Sequence, residues 1–165
     1  MDIKSLPTSS RCLVDSNIFI YHLADMSDEC SKLIERVARY EVEASITTTI
    51  IAEILHRRMI AEAVSRGLLS SGQTLKKLKA SPTVIVSLSH YTLEVEKLLR
   101  LPLNVIEVTN ADVSASHALR RTYGLLVNDS INLACAMNRG ITGIVTRDSD
   151  FNRVPVITVW EPGDV

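Results

Sequence analysis

Five acidic residues stand where chemistry is possible: Asp15, Glu53, Asp129 and the neighbours Asp148 and Asp150. Asp15 ends the apolar run Cys12-Leu13-Val14, and Glu53 interrupts Ile50-Ile51-Ala52-Glu53-Ile54-Leu55. Asp129 follows Val127-Asn128, and Asp148 and Asp150 follow the apolar stretch Gly143 to Thr146. Each has an ordinary explanation when taken alone. Asp15 suits an Asx-turn or helix N-cap, Asp129 the positive end of a helix dipole, Glu53 a solvated helix face, and the last two a turn. Their joint placement says more, because every one falls where a strand ends or a helix begins. Carboxylates gathered within a few ångströms repel one another, and protonation or a hard cation relieves the repulsion. An oxygen-only set lacking His and Cys suits Mg2+ or Mn2+ rather than zinc or copper. Such an ion keeps positions open for a phosphate oxygen and a nucleophilic water, so the chemistry implied is phosphodiester hydrolysis.

Bringing these residues together requires a fold that collects strand ends on one edge. Short apolar runs alternate with longer helical periodicities along the chain, the pattern of parallel βαβ units in an α/β protein. Strands are expected at Cys12–Val14, Ala44–Ile46, Asn104–Val108, Gly143–Thr146 and Val156–Val159. Helices are expected from Ile18, from about Ser27, after Thr47-Thr48-Thr49 with Gly67 closing it, over 70–81, and over Tyr91–Leu101. Two more should run over Ala111–Tyr123 and Val127–Asn138, the latter opened by Asn128 as cap and closed by Gly140. Residues 1–10 and the tail after Trp160 read as loose ends. In an open parallel sheet the strand C-termini share the edge where ligands bind, so carboxylates distant in sequence converge there.

Composition narrows the class. The 165 residues, 46% hydrophobic, suffice for one domain with one substantial core. Cys12, Cys30 and Cys135 are odd in number and widely spaced, which argues against a disulfide framework and for a reducing compartment. No signal-peptide core or membrane-length apolar run is present, so a soluble cytoplasmic protein is expected. Seven aromatic residues are too few for a base-stacking sheet. The histidines, His22, His56, His90 and His117, show no ligating spacing, and neither a GxSxG elbow nor a phosphate-binding glycine loop occurs.

Four segments together resemble the PIN-domain nucleases, and among them the small prokaryotic VapC-like group. They are Val14-Asp15-Ser16-Asn17, the run from Ser45 to Ile54, the run from Val127 to Ala136, and Ile144 to Phe151, in the right order over residues 11 to about 160. The resemblance implies a three-layer α/β/α architecture with a central, mainly parallel, five-stranded sheet, as one domain over 1–165 with its core at about 11–160. It implies an Mg2+- or Mn2+-dependent endoribonuclease in which Asp15, Glu53, Asp129 and Asp148 hold the metal or metals. Asp150 is then an additional or alternative fourth ligand, and Asn17 and Thr146 are polar supports. It further implies the toxin of a type II toxin–antitoxin pair, with an RNA substrate, an antitoxin protein as partner and a homodimeric state. An RNA-processing nuclease without an antitoxin, or a non-catalytic interaction module on the same fold, are the alternatives. The stretch from about Gly67 to Pro102 is longer than in the smallest members of the group.

The formal charge of −1 conceals a segregation. Residues 1–54 carry five Lys/Arg against nine Asp/Glu, whereas residues 55–79 carry Arg57, Arg58, Arg66, Lys76, Lys77 and Lys79 against Glu62 alone. That basic segment is either a solvated helix face or a patch that tracks phosphates without reading sequence. Arg57, Arg58, Lys76, Lys77, Lys79 and Arg147 are the candidate RNA contacts, with Arg120 and Arg121 behind them. Two phosphotransfer classes on similar sheets fit less well: position 17 is Asn, breaking the DxD of haloacid-dehalogenase-type phosphatases, and no lysine follows Lys97 to serve a receiver domain.

Overall fold

The computed structural model describes residues 1–69 and 74–165. In chain order the elements are β1 (Arg11–Val14), α1 (Ser16–Leu23), α2 (Asp28–Ala38), β2 (Glu43–Thr47), α3 (Thr48–Ser65), α4 (Thr74–Ala80), α5 (Pro82–Ser87) and α6 (His90–Leu98). They continue with β3 (Asn104–Ile106), α7 (Asn110–Tyr123), α8 (Val127–Asn138), β4 (Gly143–Val145) and β5 (Thr158–Trp160). Short 3-10 turns occupy Ile3–Ser5 and Ser149–Arg153.

All five strands pair in parallel, in the order β3-β2-β1-β4-β5. From β1 the chain moves outward to β2 and β3, then returns to the other side of β1 for β4 and β5. Right-handed crossovers therefore put α1–α6 on one face and α7 with α8 on the other. The packing agrees: α1 lies against α2 and α3, α3 against α6, and α7 against α8. The reversal of direction falls between β1 and β4, the switch point at which open parallel sheets leave a crevice.

Burial follows from the strands' composition. β1 and β4 are covered on both sides, and Leu13, Val14, Ile144 and Val145 are almost inaccessible to solvent. Phe19, Ile18, Leu33, Ile46, Ile50, Ile54, Leu133 and Phe151 close the core around them. At Gly143 an added Cβ would lie 2.5 Å from the Trp160 ring, so the close passage of the indole over β4 requires glycine there. A second, smaller cluster of Ala63, Leu69, Leu78 and Leu88 joins the far end of α3 to α4 and α5. The longer stretch after Gly67 thus builds its own miniature core.

The structure corrects three expectations. First, α8 has the expected bounds, but Leu126 is its N-cap residue and Asn128 lies exposed within its first turn. Leu125, buried in the core, fixes the entry of the chain, so packing rather than a polar cap sets the helix start. Second, the helix expected over 70–81 is Thr74–Ala80, residues 70–73 lying outside the described ones, and Pro82 does more than end it. Pro82 opens α5 from the first helical position, where its fixed φ and missing N–H cost nothing.

Third, neither end is loose. Ile3 N donates to Glu161 O at 2.9 Å and Glu161 N to Met1 O at 2.8 Å, while Ile3 and Leu6 are buried. In the tail, Asp164 accepts from Ser27 Oγ at 2.6 Å and from Glu29 N at 3.0 Å at the start of α2. These partners are more than 130 residues away in sequence, so nothing local advertises them. The glycine terminators do behave as expected: Gly67 and Gly140 follow α3 and α8 at φ +67°, the left-handed conformation that ends a helix. Among the described residues, no helix is long and apolar enough to cross a membrane.

Candidate functional site

Asp15 leaves β1 at the switch point and becomes the N-cap of α1. Its Oδ1 accepts from Ser16 N at 2.7 Å, and its Oδ2 accepts from Asn17 Nδ2 and Thr146 Oγ1, each at 2.7 Å. The Thr146 hydroxyl, having donated to Asp15, accepts from Asn17 Nδ2 at 3.1 Å and from Asp148 N at 3.0 Å. Asn17 Oδ1 in turn accepts from Arg147 N at 3.2 Å. One connected set of bonds therefore fixes the end of β1 to the end of β4, and Asn17 and Thr146 stand where supports of the carboxylate must stand.

The other acids arrive on separate elements. Glu53 lies in the second turn of α3, whose start is capped by Thr47 Oγ1 accepting from Ile50 N at 3.1 Å. Asp129 lies in the first turn of α8, and Asp148 caps the 3-10 turn by accepting from Asp150 N at 2.8 Å. Glu53, Asp129 and Asp148 line one cavity of about 380 Å3, together with Leu126, Val127 and Asn128. Asp15 is buried, within electrostatic reach of Glu53, Asp148 and Asp129. Asp150 stands apart: its carboxylate is paired with Arg153 at 2.7 Å and does not line the cavity.

The electrostatics express the crowding. Burial and the neighbouring charges of Asp15, Asp148, Glu53 and Asp150 push the Asp129 carboxyl up to about 6. Burial also raises Asp15; the bonds from Thr146 and Ser16 oppose that rise, and Glu53 and Asp148 add to it. Burial and the neighbouring charges at this crevice thus disfavour the ionised forms of Asp15 and Asp129, the condition that a divalent cation relieves. Among the described residues no three His, Cys, Asp or Glu side chains form a ready-made ligand group. The set suits an ion bound through one or two carboxylates with water completing its shell, as Mg2+ prefers, and suits zinc poorly.

The basic candidates scatter. Arg58 makes a fork with Glu94, Nε to Oε2 at 2.9 Å and Nη2 to Oε1 at 2.8 Å, so it braces α3 against α6. Arg57 is exposed and loosely paired with Glu53 at 3.7 Å. Arg147 is exposed and bonds the Val165 carbonyl through Nε at 2.6 Å. Arg120 is engaged by Ser116 and Ser130. Lys76 and Lys79 are exposed on α4, which meets α3 near Ala63, ten residues or about 15 Å along the helix from Glu53. No histidine lines the cavity, and all three cysteines are free and buried.

Sequence reasoning passed over two buried acids that act structurally. Asp112 forms a capping box with Thr109 and accepts from Asn138 Nδ2 at 2.8 Å and Arg139 Nη1 at 3.0 Å, clamping α7 to the end of α8. Glu62 accepts from the backbone N–H groups of Ser89 and Tyr91 at the start of α6. The Thr-x-x-Asp spacing at 109–112 was a readable capping signal; Glu62 had none.

Known proteins share this fold and, in part, this sequence. Ribonuclease VapC2 of Methanocaldococcus jannaschii is 28% identical over 152 residues, 92% of this chain and 94% of that protein. Among solved structures, a toxin-antitoxin complex from Klebsiella pneumoniae superposes with a TM-score of 0.61 at 21% identity, covering 93% of this chain and 99% of the other. VapBC2 of Rickettsia felis, bound to a promoter DNA fragment, gives 0.60 at 15% identity, covering 92% and 98%. The sequence pattern of the PIN domain matches residues 12–157. It takes in the end of β1, the start of α3, the start of α8 and the turn after β4, every segment that brings an acid to the crevice, and so the chain belongs to the PIN domain family.

Proposed function

We propose that this protein is an Mg2+- or Mn2+-dependent endoribonuclease, acting in the cytoplasm as the toxin of a type II toxin–antitoxin pair. The convergence of Asp15, Glu53, Asp129 and Asp148 at the switch point carries the proposal, because so crowded a set calls for a divalent cation. RNA as substrate is supported by the likeness to Ribonuclease VapC2, and an antitoxin partner by structural neighbours solved as toxin-antitoxin complexes. A homodimeric state is what the family resemblance implies.

Asp15, Glu53, Asp129 and Asp148 would hold the ion, one or two of them directly and the others through its waters, with Asp150 drawn aside by Arg153. Bound there, a divalent cation supplies Lewis acidity toward a phosphate oxygen and lowers the pKa of a water. Asp15, bonded on both oxygens, keeps one orientation while the other acids accommodate a ligand at the open mouth. Leu126 and Val127 give that mouth an apolar rim. Arg57, Arg147 and the α4 lysines Lys76, Lys77 and Lys79 are the proposed contacts to the RNA backbone; Arg58 leaves that set because Glu94 holds it.

The test is cleavage of single-stranded RNA with added Mg2+ or Mn2+. Chelation is expected to abolish it, and Asp15→Asn and Asp129→Asn are each expected to lower the rate at least a hundredfold with the fold intact by circular dichroism. Activity that survives chelation, or survives both substitutions, refutes the proposal.

A further inference from the structure

α8 carries a buried polar residue that the site as described does not use. Asn132 is 3% exposed, between Ile131 and Leu133, and one turn beyond Asp129. Its Oδ1 accepts from two hydroxyls, Thr47 Oγ1 and Thr49 Oγ1, both at 2.7 Å. Thr47 is wholly buried at the end of β2 and caps α3, and Thr49 stands one turn before Glu53 on the same helix. α3 packs mainly on α6 and α1 and meets α8 only slightly. A single amide oxygen therefore spans the narrow contact between the helix that carries Glu53 and the helix that carries Asp129.

An apolar side chain would fill this space without the cost of burying an amide. The amide adds direction: two bonds to fixed hydroxyls set the separation and rotation of the two helices just below the acidic crevice. Repulsion between Glu53 and Asp129 pushes the helices apart, and Asn132 opposes it from beneath. We infer that Asn132, through Thr47 and Thr49, is a positioning residue that holds Glu53 and Asp129 at the spacing a divalent cation requires. The inference rests on the proposed metal-dependent function and extends it to a residue that touches neither metal nor substrate.

Mn2+ binding to the full chain, read by electron paramagnetic resonance of the free ion, tests it without reference to cleavage. Asn132→Leu keeps the volume and removes the acceptor. It is expected to weaken Mn2+ binding about tenfold, the loss typical of supports behind metal ligands. Thr49→Val, which deletes one of the two bonds and serves if Asn132→Leu fails to fold, is expected to weaken binding less. The double variant is expected to be no worse than Asn132→Leu alone, because both act through one node. Asn132→Asp keeps the acceptor and is expected to bind Mn2+ at least as well as the unaltered chain.

A lowered melting temperature with Mn2+ affinity unchanged within twofold, in Asn132→Leu or in Thr49→Val, overturns the inference and leaves the metal site standing. Absence of Mn2+ binding by the unaltered protein overturns the metal reading, and the inference with it.

Discussion

Asp129 shows how an isolated carboxylate differs from one among four. Its carboxyl is raised to about 6, first by burial and then by Asp15, Asp148, Glu53 and Asp150, so the native chain binds its proton more tightly than the unfolded chain does. Stability from this group is complete below the ordinary carboxylate value and is lost as pH rises through about 6. In metal-free protein at pH 7.5, Asp129→Asn removes the repelling charge and is expected to stabilise the fold. Solvent screening at the half-exposed mouth holds the gain to about 1 kcal/mol. Calorimetry of both proteins between pH 4.5 and 7.5 checks this: the difference in melting temperature should shrink on acidification. A pH-independent difference would assign it to packing. Loss of cleavage with gain of stability is the expected signature of a residue kept for function.

At the scale of elements, the parallel sheet and the acids at strand ends were legible because each depends on local pattern. An apolar run that stops at Asp15, or a Thr cluster that opens a helix before Glu53, states its structure within a few residues. What escaped depends on partners far along the chain. The hydrogen bonds of Asp164 to the start of α2, the Glu62 cap on α6 and the fork of Arg58 with Glu94 have no local signature. The same holds for α5, whose Val84 packs against a core formed with α3 and α4 while Ile85 and Val86 stay exposed. Asp112 gives this level its own prediction. Its carboxyl is held far below the usual range by Arg139, Thr109 and Asn138, against the opposing effect of burial. Its stabilisation is present above the ordinary carboxylate value and fades as pH falls below it. Asp112→Ala should cost about 3 kcal/mol at pH 7, less as pH falls below the ordinary carboxylate value, because it breaks a buried pair at one end. Equal losses at pH 7 and pH 3, in urea titrations, would remove charge from the explanation.

Over the whole molecule, a formal charge of −1 is the sum of unlike regions. Acids gather at the crevice, and exposed Lys76 and Lys79 stand on α4, about 15 Å along α3 from Glu53. Under the proposed function, a strand of RNA reaching from one to the other would bridge several phosphates, so the lysines would bear on affinity and the acids on cleavage. Lys76→Glu with Lys79→Glu is expected to reduce the slope of log affinity against log salt by about two while leaving the saturated cleavage rate unchanged. An unchanged slope would return these lysines to a solvated helix face.

The close passage of Trp160 over Gly143 gives the molecule a reporter of its own. Trp160 is the only tryptophan in the chain, its indole Nε1 is buried without a partner, and its carbonyl accepts from Thr146 N at 3.0 Å. Thr146 is the same residue whose hydroxyl holds Asp15. The Trp160 backbone is therefore two hydrogen bonds from Asp15, and tryptophan-selective emission is expected to report unfolding of the sheet edge and to shift if an ion rearranges Asp15.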